Sequence, residues 1–262
     1  MSQPRRPLLS GSAAVVTGGG RGIGAAAAIA LSQEGAAVTV ASRTQAEIEE
    51  VARFINDAGG HALAVPADVT SADQVDTLVD KSLAAFGRLD FLVNAAGNME
   101  PIGGPTWDAP RETWRDTVIS NIVGVFHTCH AVVPHLVAQG SGRILNMSSP
   151  AALNAIPGAS AYCTTKAAVN HFSRVLASEL MGTGVTANTF AIGPTDTPVF
   201  REVCRTLYPT LPESWVNTHA RDPVEACRML VWLCAPATVG ITGRHLAWRD
   251  PWVRQAIAYL EL

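Results

Sequence analysis

The sequence predicts one α/β domain built on a doubly wound, seven-stranded parallel sheet with helices on both faces. Three observations carry that reading. Short apolar runs alternate with longer helical patterns along the chain. The runs are apolar throughout, as strands buried on both faces require. Of 262 residues 48% are hydrophobic and 16% charged, enough for a large core and too apolar for disorder, with no repeat or linker to divide it.

The elements follow in order. Ala13–Thr17 is the first strand, and Gly22–Glu34 a helix rich in alanine, the strongest helix former. Ala36–Ala41 is a strand, Thr44–Ala58 a helix and His61–Pro66 the third strand. Ser71–Phe86 reads as a helix opened by a serine N-cap with Asp73 nearby, and Asp90–Asn94 as a strand. Arg111–Gln139 is a long helical stretch, Arg143–Met147 a strand, Ser160–Met181 a helix and Val185–Phe190 a strand. Asp222–Cys234 is a helix and Ile241–Leu246 the last strand. Gly193–Ala220, rich in proline and aromatics, reads as an irregular segment outside the rhythm, placed to act as a substrate lid.

Charge and cysteine usage exclude several functions. A net charge of −3 offers no basic field to nucleic acid or to an anionic membrane. The uncharged run Thr117–Gly142 is long enough to span a bilayer, yet Asn121, His127, His130, Pro134 and His135 within it favour a buried helix of a soluble protein. Arg5 and Arg6 are not followed by an apolar stretch of secretory type. Five cysteines without a CxxC pair argue for reduced thiols in the cytoplasm and against a zinc knuckle. His127 and His130 lack a carboxylate partner in sequence, so no metal site is expected.

The chemistry concentrates in three places. The first strand runs into Thr17-Gly18-Gly19-Gly20-Arg21-Gly22-Ile23-Gly24, and a helix follows at once. A glycine-rich turn there lets backbone approach a pyrophosphate that faces the helix N-terminus, which points to a dinucleotide. At the end of strand two a carboxylate would accept a ribose 2′-hydroxyl; the chain instead has Ala41-Ser42-Arg43, with no acid until Glu47 and with Arg21 in the glycine turn. Two guanidiniums and a hydroxyl suit a 2′-phosphate, so NADP(H) is favoured over NAD(H). Third, Tyr162-Cys163-Thr164-Thr165-Lys166 puts a phenol and an ammonium one helical turn apart. The ammonium should lower the phenol pKa toward a range useful for proton transfer. Of 19 basic residues only Lys81 and Lys166 are lysines, so a lysine at this position marks a specific demand.

With these motifs the chain resembles the short-chain dehydrogenase/reductase family over nearly its whole length. Gly18, Gly22 and Gly24 match that family's cofactor turn, Asp68-Val69 its adenine-binding pair, and Asn94-Ala95-Ala96-Gly97 its strand-four motif. Asn121 stands at its active-site asparagine, and Ser149, thirteen residues before Tyr162, at its catalytic serine, with Ser148 the weaker candidate. The resemblance implies a Rossmann-type fold and an NADP-dependent oxidoreductase of a carbonyl or secondary alcohol. It implies that Tyr162 moves the proton, Ser149 binds the substrate oxygen, Lys166 holds the nicotinamide ribose, and Asn121 positions a relay water. Gly193, Thr195 and Thr197 carry over as further cofactor contacts, although Ile192-Gly193-Pro194 replaces the family's Pro-Gly. After Ile241-Thr242-Gly243 the family's Asp-Gly-Gly gives way to Trp248-Arg249-Asp250-Pro251-Trp252 and a tail.

The resemblance also implies a homo-oligomer, a tetramer or else a dimer, through the helices of Asn121 and Tyr162. Phe200, Tyr208, Leu211 and Trp215, with Met99, Ile102, Trp107 and Ile156, suggest a small apolar or cyclic substrate. Two other functions compete. A reductase of carrier-bound 3-oxoacyl chains would need a basic docking patch, for which Arg111 and Arg115 or Arg201 and Arg205 are the candidates. A non-catalytic NADP-binding regulator on the same fold would not need the Asn121, Ser149, Tyr162 and Lys166 set.

Overall fold

A computed structural model describes residues 7–259; Arg5, Arg6 and the last three residues of the tail lie outside the described residues. Strands β1 (Ala13–Thr17), β2 (Ala37–Ser42), β3 (His61–Pro66), β4 (Phe91–Asn94), β5 (Gly142–Met147), β6 (Val185–Ala191) and β7 (His245–Ala247) form one sheet in the order β3-β2-β1-β4-β5-β6-β7. Every pairing is parallel. The order reverses between β1 and β4, and a crevice opens beyond the carboxyl ends of strands at such a reversal.

Alternation along each strand feeds two cores. Val16, Val93, Leu145 and Phe190 face a cluster with Leu31 of α1 (Gly22–Gln33), Ile48 of α2 (Gln45–Asp57), Leu230 and Leu233 of α10 (Arg228–Cys234) and Val253 of α11 (Pro251–Tyr259). Val15, Leu92, Ile144 and Ala187 face the other, with Leu78 of α3 (Ala72–Phe86), Val125 and Leu136 of α5 (Gly124–Gln139) and Val169 and Leu176 of α6 (Ser160–Glu179). Buried Ala26, Ala27, Ala28 and Ala30 let α1 lie close on the sheet, which brings its N-terminus to the end of β1.

Four expectations are corrected. The long helix is not uniform: α4 (Arg111–Val118) passes through a π-helical turn, Ile119–Val123, into α5. The stretch has the length and composition of a membrane span but packs as a layer of this domain against α3 and α6. Gly193–Ala220 is not irregular: Thr197 caps α7 (Pro198–Leu207) by accepting from Phe200 N–H at 3.2 Å, and α8 (Glu213–His219) follows. The Asp222–Cys234 helix breaks at Cys227 into α9 (Pro223–Ala226) and α10, with Asp222 accepting from the amides of Val224 and Glu225. The last strand starts only at His245, because Gly240 and Gly243 take left-handed backbone and the intervening run meets β6 through the side chains of Asn188 and Thr242.

Candidate active site

The carboxyl ends of β1, β4, β5 and β6 deliver the site. After β1, Gly18 (φ +66°) leaves no room for a side chain: a Cβ would stand 2.7 Å from backbone atoms of Ala96. A Cβ on Gly24 would stand 2.0 Å from the Gly18 carbonyl oxygen, so only glycine lets α1 start against the turn. Gly22 (φ +55°) faces Thr197, whose Cγ2 is 3.7 Å from its Cβ position. The first-turn amides of Gly22, Ile23 and Gly24 have no intrahelical acceptors, and Arg21, at the cap, supplies none from its side chain. Such a cradle fits the pyrophosphate of a dinucleotide.

Beside it, Asn94 closes β4 in a buried network. Its Nδ2 donates to Asn146 Oδ1 at 2.9 Å, and its Oδ1 accepts from Thr128 at 2.8 Å and from Thr17 at 3.3 Å. Thr17 in turn accepts from Ala96 N–H at 3.3 Å, which ties Asn94-Ala95-Ala96-Gly97 to the glycine turn. After β3, Asp68 accepts from the amide and hydroxyl of Thr70, and Val69 packs on Gly124 of α5. Thr195 is buried and donates to the Gly193 carbonyl at 3.0 Å.

Serine, tyrosine and lysine meet between β5 and α6. Lys166 is 3% exposed; its Nζ donates to the Met147 carbonyl at 2.8 Å and lies 5.5 Å from the Tyr162 ring centroid. Burial lowers its pKa to about 8. The Tyr162 phenol is pushed up by burial, and a hydrogen bond from Ser149 draws it part-way back. The expected lowering by Lys166 is not what the geometry produces: burial is the largest influence on the phenol, and the ammonium is turned toward the end of β5. Ser149 accepts from Ala151 N–H at 3.2 Å at the head of a short turn, whereas Ser148 is buried in the sheet with its hydroxyl unpartnered.

Asn121 is buried in the π-helical turn. Its Oδ1 accepts from Asn98 N–H at 2.9 Å, and its Nδ2 donates to Asn98 O at 2.9 Å and to Thr165 Oγ1 at 3.0 Å. These bonds staple the π-helical turn to α6 and to the loop after β4. Asn98 and Thr165 were given no role from the sequence, although Asn98 follows the strand-four motif and Thr165 lies within the Tyr162–Lys166 motif.

Another residue the sequence reading set aside is Glu47. It lies in the first turn of α2, and a Cβ on Gly20 would stand 3.0 Å from its Oε2 and 2.9 Å from Ser42 Oγ. An acid thus stands at the pocket where the sequence offered only donors. Arg21 and Arg43 are exposed, and among the described residues neither forms an ion pair. Around the mouth, Gly103 N–H donates to the Gly158 carbonyl at 2.8 Å and α7 packs on both through Thr206 and Leu207. Trp107 is 85% exposed, so it lines no enclosed pocket. Trp215 stacks on His219 within α8. Of the four arginines named as a basic docking patch, Arg115, Arg201 and Arg205 are paired with Glu112 and Asp116, Asp196, and Glu202, while Arg111 forms no ion pair among the described residues. Among the described residues no three histidines, cysteines or acids gather as a metal site.

Residues 12–207 match the family model described as short chain dehydrogenase. The chain belongs to that family. A 2,5-dichloro-2,5-cyclohexadiene-1,4-diol dehydrogenase, LinX, of Sphingobium indicum is 32% identical, covering 93% of this chain and 97% of the relative. NAD⁺-bound xylitol dehydrogenase superposes with a TM-score of 0.86 at 25% identity, over 92% of this chain and 98% of that one. A variant of actinorhodin polyketide ketoreductase with NADPH superposes with a TM-score of 0.84 at 29% identity, over 90% and 95%. This short-chain dehydrogenase is thus an oxidoreductase of the Rossmann type that uses a nicotinamide cofactor and a small-molecule substrate.

Proposed function

We propose that this enzyme is an NADP(H)-dependent reductase of a carbonyl, or oxidant of the secondary alcohol, of a small apolar or cyclic substrate, with Tyr162 as the general acid and base. The observation that carries this reading is the meeting of Ser149, Tyr162 and Lys166 beside the side-chain-free turn of Gly18, Gly22 and Gly24. When bound, the nicotinamide supplies or takes the hydride. The residues of the chain do the rest. Burial keeps the Tyr162 phenol protonated at neutral pH, the form that donates to a developing alkoxide. Ser149, which stands beside that phenol, can donate to the same oxygen as charge grows on it. With a pKa of about 8, Lys166 is mostly an ammonium at pH 7. It stabilises the phenolate left behind, and two of its three N–H groups remain for the cofactor ribose beyond the one given to Met147.

Ser42, Arg43 and Arg21 support the preference for the 2′-phosphate, since among the described residues neither guanidinium forms an ion pair. Glu47 opposes it and narrows the margin. The helices α7 and α8 are assigned the role of substrate lid. Free thiols at all five cysteines support a reducing, cytoplasmic setting. A panel of ketones and secondary alcohols offered with NADPH or NADP⁺, and in parallel with NADH or NAD⁺, tests the assignment. Turnover of a ketone with NADPH supports it; tight cofactor binding with no turnover of any member would replace it with the non-catalytic regulator.

A further inference from the structure

Arg221, between α8 and α9, runs along the segment that follows β6. Its N–H donates to the Pro194 carbonyl at 3.2 Å, and its carbonyl accepts from Asp196 N–H at 2.9 Å, so that Thr195 and Arg221 form a short parallel bridge. Its Nη2 donates to the Ile192 carbonyl and lies 3.9 Å from the point a Cβ on Gly193 would occupy. The guanidinium carbon rests 3.8 Å over the ring of Trp248, and Trp248 N–H donates to the Ala191 carbonyl at 2.9 Å. Trp248 opens the stretch in which this chain departs from its family. Both residues therefore close on Ala191–Asp196, the approach to the turn of Gly193, Thr195 and Thr197.

Arginine is a poor choice here for stability alone. Among the described residues Arg221 has no ion pair, burial pulls its pKa down, and its Nη1 is buried without a hydrogen-bond partner. A half-buried charge with one orphaned N–H group is seldom worth more than an apolar side chain of similar volume. Methionine could cover Trp248 as well; it could not hold the Ile192 carbonyl.

We propose that Arg221, laid flat on Trp248, is a positioning residue for the cofactor, fixing the Ile192–Thr197 turn in the shape that receives it. The proposal rests on the reading of Gly193, Thr195 and Thr197 as cofactor contacts. Three quantities test it: affinity for NADPH and NADH by fluorescence titration, thermal unfolding of the cofactor-free protein, and hydrogen exchange of residues 189–197. Arg221→Met is expected to unfold at or above the wild-type temperature yet bind the preferred cofactor at least about tenfold more weakly, the worth of one lost charge-assisted hydrogen bond. Trp248→Leu should weaken binding similarly, while Trp248→Phe, which keeps an aromatic face, should stay within about twofold. Cofactor should protect 189–197 from exchange in the wild type. Absence of that protection would remove the reading of the turn, and the clamp with it. Protection in the wild type together with undiminished binding by Arg221→Met would overturn the clamp alone. A loss of stability in Arg221→Met that matches its loss of binding would make the arginine a strut and overturn it equally.

Discussion

Lys166 carries the largest electrostatic tension in the site. Burial lowers its pKa from 10.5 to about 8, so between those values the unfolded chain binds more protons than the folded one. Stability from this group therefore rises as pH climbs from about 8 to 10.5, and below pH 8 the full penalty of burying an ammonium is present. Lys166→Met should be at least as stable as wild type at pH 7, should lose that rise, and should be inactive; thermal unfolding at pH 7, 9 and 10.5 checks it. A wild type without the rise would contradict the buried ammonium. At the other end of the cofactor site, Arg43→Asp removes an attraction and adds a repulsion, so it should turn preference from NADP(H) to NAD(H) with maximal turnover little changed. Glu47→Gln should move preference the other way, raising the ratio of kcat/KM for NADPH to that for NADH by about threefold to tenfold. Binding of 2′,5′-ADP against 5′-ADP reads both changes without turnover. A Glu47→Gln ratio equal to wild type would mean the carboxylate does not reach the 2′ position. Tyr162 and Lys166 were singled out by residue type and spacing and Ser149 by the family resemblance. The direction of the phenol pKa was not legible, since it depends on burial that no spacing reveals.

Among the elements, the turn from β1 into α1 has the least tolerance. Gly24→Ala would drive a Cβ into the Gly18 carbonyl, and backbone rather than a flexible side chain would have to move. A loss of about 1–3 kcal/mol or more is expected, with cofactor affinity falling further than stability; unfolding in urea and a binding titration separate the two. Full retention of both would show that the turn is not the cradle. The early strands could be read nearly to the residue: β1 is a short run buried throughout, and β3 is a mostly apolar, partly exposed strand at the sheet edge. The π-helical turn at Ile119–Val123 could not, since its cause is tertiary: Asn121 reaches Asn98 and Thr165, residues far apart in the chain. The same holds for α7 and α8. Proline and aromatic content suggested irregular chain, whereas Thr197 as a cap and Pro198 at the first helical position organise a helix.

At the scale of the molecule, α5 and α6 leave apolar side chains in solvent: Phe126 is 49% exposed, Val137 39% and Val175 44%, with Met181 beyond the end of α6 at 74%. Apolar surface of this kind calls for cover, and the expected cover is a second copy of the chain in self-complementary helix packing. Light scattering should give a tetramer, or a dimer, at micromolar concentration; a stable monomer would contradict this reading. Such surface was visible in the sequence only as an uncharged helix, and which of its residues reach solvent had to come from the packing. The central claim is that the molecule is a reductase whose proton passes through Tyr162. The most direct measurement is NADPH oxidation with a ketone by wild type and by Tyr162→Phe, alongside the affinity of each for NADPH. The expected result is a loss of at least about a hundredfold in kcat with affinity nearly unchanged. A Tyr162→Phe enzyme that keeps most of its turnover would contradict the account.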